Sequence, residues 1–269
     1  MMHEFLARTL PLLGEKGVDA LSQPLISISG LGGVGGGTFL NLVRCGVKRF
    51  RLAENGIFDP PDMNRQAAAF ASTMGRPKLD VYAQLAREIN PDVELELFPE
   101  GVQVENLERF LNGCDVHIGV IDVEKGADVK QMTPELLRRF RIPLFTAGVL
   151  GFGTLLVAHE PDGMMPDEFW GTLQKQTADD LFASPVMKLF DQSMVGRLKE
   201  LSREGVFAST SIGGSLSGTV LAMEVLVYLL RGTGLIDREP VFAPRVIVLD
   251  LMGPVLKVVD AVALENTGA

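Results

Sequence analysis

The sequence predicts an α/β fold: a mostly parallel sheet with helices on both faces and antiparallel strands added at the C-terminal edge. Three observations predict it. The first half alternates β-rich runs with amphipathic helical segments, the pattern that builds a parallel sheet. An apolar run at Leu25, Ile26 and Ile28 enters Gly30-Leu31-Gly32-Gly33-Val34-Gly35 and leaves as a helical segment. Strand, glycine turn and helix form the context in which G-x-G-x-x-G holds nucleotide phosphates. Two late runs, 245–251 and 255–259 around Gly253-Pro254, read as closing antiparallel strands. Together these describe a Rossmann-like sheet.

Taken in order, residues 1–23 read as a helical lead-in that carries Arg8 and is broken by Gly14 and Gly17. In the glycine turn, residues without a Cβ let the backbone bend sharply and let a phosphate or ribose approach the N–H groups of a helix start. Gly30, Gly32, Gly33 and Gly35 are therefore candidate nucleotide-binding positions. Residues 38–47 read as the following helix and 47–53 as the second strand, ending at Glu54. An acid about 20 residues past the glycine turn, at the end of the second strand, is where dinucleotide folds hold ribose hydroxyls. Residues 55–61 are loop, with Gly56 and Pro60-Pro61 as breakers. The polar cluster Asp62-Met63-Asn64-Arg65-Gln66 follows, then Gly75-Arg76-Pro77-Lys78 opening a helix to Ile89. Residues 93–98 alternate apolar and acidic as a half-exposed strand. A helix is predicted over 104–111 and a buried strand over 115–121, ending at Asp122. A second helix is predicted over 133–140, with Thr133 as its cap, and a strand over 143–147. Residues 151–159 form a further β-rich run, 160–205 read as helices with loops, and a long helix ends at Leu230.

With 269 residues the chain has room for one large α/β domain or two small ones. No repeat or low-complexity linker divides it, so a single unit is expected over 1–269. Its parts are a nucleotide-binding half at 1–159, a variable segment at 160–205, and a crossover helix with closing strands at 206–269. The formal net charge of -9 argues against non-specific nucleic-acid binding. Two cysteines, Cys45 and Cys114, exclude a disulfide framework and a four-cysteine zinc site. His3, His117 and His159 make no metal-binding spacing. The stretch 212–230 is apolar but holds Gly213, Gly214, Gly218 and Glu224, which predicts a buried helix and no membrane span. No secretion signal is read at the N-terminus, so a cytoplasmic location is expected.

The text GLGGVG at 30–35, LAENGIFDPPDMNRQ at 52–66, GRPK at 75–78 and REINPDVELE at 87–96 resembles the ThiF/MoeB-type adenylating family, whose fold the ubiquitin-activating enzymes share. SIGGSLSGTVLAMEVL at 211–226 resembles that family's late crossover helix. The resemblance spans most of the chain and is weakest over 160–205. It implies ATP and Mg²⁺ as cofactors, a carboxylate substrate such as a ubiquitin-like protein tail, and a homodimer. It further implies that Gly33 and its neighbours hold the nucleotide, that Glu54 holds ribose, and that Asn64, Arg65 and Lys78 contact phosphates. Asp122 would hold or orient Mg²⁺, and Arg8 would reach the partner subunit's site.

The sequence also departs from the family pattern. Glu54 replaces an aspartate, Gly56 a second acid, Asp62 an asparagine close to the phosphates, and Val123 the asparagine after the catalytic aspartate. The zinc-binding cysteine pairs of many members are absent, as is any cysteine beyond Cys114; both Cys45 and Cys114 read as core thiols. The expected activity is adenylation of a carboxylate without a cysteine of the chain's own. Two rival readings are an NAD-dependent oxidoreductase, which the glycine turn with Glu54 also fits, and a silent scaffold subunit, which Asp62 and Val123 favour.

Overall fold

The computed structural model describes residues 4–121, 126–178 and 180–264. Helix α1 (Leu10–Ser22) leads into β1 (Leu25–Ser29), α2 (Gly35–Arg44) and β2 (Arg49–Ala53). A long loop then reaches α3 (Lys78–Ile89), β3 (Glu94–Phe98), α4 (Val104–Leu111), β4 (Val116–Gly119), α5 (Ala127–Phe140) and β5 (Leu144–Leu150). The chain turns back as β6 (Gly153–His159), passes through α6 (Pro166–Thr177) and α7 (Gln192–Arg203), and enters α8 (Ser211–Leu230). It closes with β7 (Arg245–Asp250) and β8 (Val255–Asp260).

All strands join one sheet in the order β3-β2-β1-β4-β5-β6-β7-β8. The pairs from β3 to β5 are parallel, and those from β5 to β8 are antiparallel. The predicted architecture is thus observed. The chain order reverses between β1 and β4, and the carboxyl ends of these two strands form the crevice where open α/β sheets bind ligands.

Alternation along each strand builds the layers. Ile26 and Ile28 of β1, Phe50 and Leu52 of β2, and Val116 and Ile118 of β4 face a core made with α2, α3 and α8. Farther along the sheet, Leu156 and Ala158 of β6 and Ile247 of β7 face that same core, whereas Val157, Val246 and Val248 face the cluster formed with α6 and α7. The segment 160–205 is helical with loops, as predicted, and covers the antiparallel part of the sheet on the side opposite α8. In β3 the acidic positions lie along the partly exposed face, where Glu94 and Glu96 pair with Arg49 and Arg51 of β2 at 3.2 and 2.7 Å.

Strand ends differ from the expected bounds by up to three residues, and the helices differ at particular places. The helix after the glycine turn starts at Gly35 and ends at Arg44, so Cys45 caps it. Only Gly14 breaks α1, with φ +63; Gly17 is helical. Thr133 does not cap α5, which starts at Ala127; its hydroxyl donates to the Val129 carbonyl at 2.6 Å one turn back. Pro134 is tolerated inside that helix.

Helix α8 is long and apolar enough to span a membrane by length and composition, yet 56% of its most apolar window is buried. It packs against α2, β5 and β6. Its one charged side chain, Glu224, is 1% exposed and accepts from Arg238 and from the Val241 N–H at 2.6 Å.

Candidate nucleotide site

The glycine turn lies between the carboxyl ends of β1 and β4. Gly30 has φ +93, and a Cβ there would sit 2.7 Å from the Val120 carbonyl oxygen after β4. Only glycine lets these two strand ends come this close. A Cβ at Gly35 would overlap the Gly30 carbonyl, and one at Gly33 would lie 3.2 Å from Cγ of Arg65. Gly32 differs: a Cβ there would meet nothing within 4 Å. Packing does not require glycine at 32, and the space above it is open. The N-terminus of α2 just beyond has no side-chain cap. Open space beside an uncapped helix start is a fit for phosphate.

Glu54, at the end of β2, reaches across this turn. Its Oε2 accepts the Leu31 N–H at 2.8 Å and its Oε1 accepts the Gly56 N–H at 2.7 Å. Each oxygen keeps a second lone pair for a hydroxyl donor. A Cβ at Gly56 would stand 2.9 Å from that Oε1. The acid at 54 and the glycine at 56 are in contact: the carboxylate folds back onto the Gly56 N–H, where a side chain would crowd Oε1.

The loop from 55 to 77 is zipped onto itself. Phe58 N–H donates to Arg76 O at 3.0 Å, Gly75 N–H to Phe58 O at 2.9 Å, and Lys78 N–H to Gly56 O at 2.9 Å. Gly75 takes φ +77 at the corner. The zipper delivers Lys78, first residue of α3, to the site, with its ammonium 5.6 Å from the centre of the Phe58 ring. Lys78 Nζ lies 2.9 Å from Oδ2 of Asp62, which is 5% exposed. Asp62 also accepts the Asp59 N–H at 3.2 Å and an N–H from Gln66, and Arg65 stands 3.6 Å away. Burial pushes the Asp62 carboxyl up, but the hydrogen bond and charge of Lys78 together with the Asp59 donors outweigh it and hold it below the ordinary aspartate value.

Arg65 donates to the Pro61 carbonyl at 3.0 Å and to Oδ1 of Asn64 at 2.9 Å. Asn64 in turn donates to Ser209 O at 3.1 Å, tying this turn to the segment before α8. There Thr210 caps α8 through the Gly213 N–H at 3.0 Å and donates to Gly151 O at 2.9 Å.

The structure thus gathers Gly30, Gly32, Gly33, Gly35, Glu54, Asn64, Arg65 and Lys78 around one crevice. Asp122 lies outside the described residues, as does Val123. Arg8 is exposed and is not brought to this crevice. Leu6, two residues before it, packs at Gly46, the opposite end of α2 from the glycine turn, about 15 Å away at 1.5 Å per residue. Phe58, beneath Lys78, was not singled out from the sequence; an aromatic residue in a loop gives no local signal of such a role. Among the described residues no three His, Cys, Asp or Glu side chains converge as metal ligands.

Neither cysteine faces the crevice. Cys45 ends α2 and is half-buried against the core, and Cys114 is buried at the amino-terminal end of β4, its thiol 3.4 Å from Phe110 O. Burial pushes both thiols up, the opposite of what a reactive thiolate needs.

A doubly wound sheet with a glycine turn at its switch point and two cations beside it defines an α/β nucleotide-binding protein. A model of the ThiF family matches residues 6–265, and the chain belongs to that family. Members of the family are ATP-dependent adenylyltransferases. The tRNA threonylcarbamoyladenosine dehydratase of Bacillus subtilis is 32% identical over 123 residues, covering 45% of this chain and 48% of that protein. The vegetative protein HesA of Trichormus variabilis is 28% identical over 157 residues, covering 58% of each. The matches thus span about half the length of these relatives. The crystal structure of E. coli MccB with ATP superposes with TM-score 0.72 over 96% of this chain and 72% of that one, at 13% identity. That likeness is one of fold.

Proposed function

We propose that this chain activates a carboxylate as an acyl adenylate, using ATP and releasing pyrophosphate. The observation that carries this reading is that Arg65 packs on Gly33 of the glycine turn and shares Asp62 with Lys78, next to the open space at Gly32 and the uncapped start of α2. A carboxylate oxygen attacks the α-phosphorus, the bond to the bridging oxygen of pyrophosphate breaks, and negative charge grows on the leaving group. Fixed cations placed where that charge develops lower the barrier. Arg65 and Lys78 supply them; Glu54 accepts ribose hydroxyls; the turn from Gly30 to Gly35 carries the phosphates on its backbone; Asn64 keeps the Arg65 fork in register. Mg²⁺ supplies further charge neutralisation of pyrophosphate, and Asp122 is the residue of this chain assigned to it. The position of Arg8, remote from its own crevice, supports a homodimer in which it serves the partner's site. With both thiols buried or half-buried, the adenylate passes to an acceptor outside this chain. The carboxylate is a ubiquitin-like protein tail, a peptide end or a small acid, and the protein acts in the cytoplasm.

The test is exchange of labelled pyrophosphate into ATP, with candidate carboxylates added singly. Exchange that depends on the carboxylate and falls at least a hundredfold in Lys78→Ala supports the reading. Binding of NAD in calorimetry as tight as that of ATP with Mg²⁺ would overturn it, because a hydride-transfer site has no use for this cation pair.

A further inference from the structure

The cation pair of this site is not free: it is built around an acid. Asp62 is buried, its Oδ2 lies 2.9 Å from Lys78 Nζ, and its Oδ1 lies 3.6 Å from Arg65. Arg65 and the Lys78 stem have other anchors besides that acid. The Lys78 stem is held by the Phe58 ring, by the wall at Gly56 and by the helix start bonded to Gly56 O. The Arg65 guanidinium is held by Pro61 O and Asn64 Oδ1. The backbone contact of Asp62 needs an acceptor and not a charge. The Asp59 N–H would be satisfied by any acceptor at 62. Gln66 Oε1 is buried with no partner, and a side-chain amide at 62 would offer it a donor after rotation of the Gln66 amide. The charge of Asp62 thus acts on the two cations beside the phosphate crevice and is opposed to them.

We infer that Asp62 is an internal counter-anion of the nucleotide site, a positioning residue that occupies the Lys78 ammonium until a polyphosphate takes it. The inference rests on the reading that this crevice takes ATP. With Arg65 and Lys78 alone the cluster carries two positive charges; with Asp62 it carries one. A triphosphate or pyrophosphate must compete with a carboxylate already in hydrogen-bond contact with Lys78. A nucleotide without β- and γ-phosphates loses less by that competition. The acid therefore weakens retention of the polyphosphate, and above all of the released pyrophosphate, relative to AMP. Pyrophosphate departure makes adenylation run forward, so the acid favours release of the product that would otherwise reverse the reaction.

Asp62→Asn keeps shape and acceptor and removes only the charge. In calorimetry this variant should bind ATP and pyrophosphate at least tenfold more tightly than the wild type, and AMP with less than a threefold change. Inhibition of the exchange reaction's forward half by pyrophosphate should strengthen in parallel. In a Lys78→Gln background the same Asp62→Asn change should bring less than a threefold gain, because the competition runs through the ammonium. A folded Asp62→Asn protein, checked by circular dichroism and melting temperature, with unchanged or weaker ATP and pyrophosphate binding would overturn the inference. So would an equal gain in the Lys78→Gln background, which would make the effect general electrostatics. ATP binding to neither wild type nor variant would instead overturn the adenylation reading itself, and this inference with it.

Discussion

Two histidines make the stability of this protein depend steeply on mild acid. His117 on β4 is 4% exposed, with Nδ1 3.0 Å from the Ser27 hydroxyl and its ring edge-on to Phe110. His159 on β6 is fully buried beside Phe169. Its Nδ1 faces the Met164 carbonyl at 2.8 Å, so Nδ1 carries the proton of the neutral ring, and Nε2 is buried with no partner. A second proton would place a charge in a closed apolar pocket. Burial accordingly pushes both imidazoles from 6.5 down to about 4. Between those values the unfolded chain binds a proton at each histidine and the folded chain does not, so stability rises with pH. The contribution is whole above pH 6.5, is lost as pH falls toward 4, and does not change further below. Each shift of about 2.5 units is worth about 3 kcal/mol, and the two together about 6–7 kcal/mol. That is comparable to the whole stability of a typical domain, about 5–15 kcal/mol. The depressed carboxyl of Asp62 acts as pH falls through the ordinary aspartate value of 3.8 and below, at the acid edge of this window. Urea unfolding followed by circular dichroism and by fluorescence of Trp170, at pH steps from 7.5 to 4, reads the slope. It should approach about 2.4 kcal/mol per pH unit near pH 5, and His117→Asn or His159→Gln should each remove about half. The slope is the readout, so loss of stability from the substitution itself does not confuse it. A flat profile between pH 6.5 and 5, or slopes unmoved by both variants, would refute the reasoning.

Further outcomes follow from the site and the core. Gly32→Ala meets no atom within 4 Å, so the melting free energy should move by less than about 0.5 kcal/mol while ATP affinity falls at least tenfold; equal ATP affinity would remove Gly32 from the cradle. Arg238→Ala strips the charged partner from buried Glu224 and should cost about 3 kcal/mol in urea unfolding, with Glu224→Gln costing less because its oxygen still accepts the Val241 N–H. The double change Cys45→Ala, Cys114→Ala should keep pyrophosphate exchange near wild type after correction for stability; a thiol-sensitive covalent enzyme–substrate adduct, lost in the double variant together with turnover, would contradict a route without a cysteine of this chain.

Much of this molecule was legible from residue order alone. The glycine turn between an apolar run and a helix, the alternation in 93–98, and the small residues opening the long helix are local patterns. Backbone sterics and period-2 or period-3.6 burial act within a few residues, so such patterns determine strands, helices and the carboxyl-end crevice without knowledge of what packs where. Where a local signal misleads, that logic fails: Thr133 looks like a helix cap, yet six residues of helix already precede it. Tertiary structure alone decided the rest. Asp62 reads in sequence as an acid intruding among phosphate ligands, but sixteen positions later the zippered loop returns Lys78 to it. Glu54 and Gly56 read as two separate departures and prove to be partners in contact, because the carboxylate folds back onto the Gly56 N–H. Asn64 is tied to a carbonyl 145 residues away, and the segment 160–205 declares its place only by covering the far face of β6 and β7. These are pairings between distant residues, set by closure of the sheet and by the desolvation of charges that must find partners once buried. Residue order names the groups, and the folded chain determines which charge each one meets.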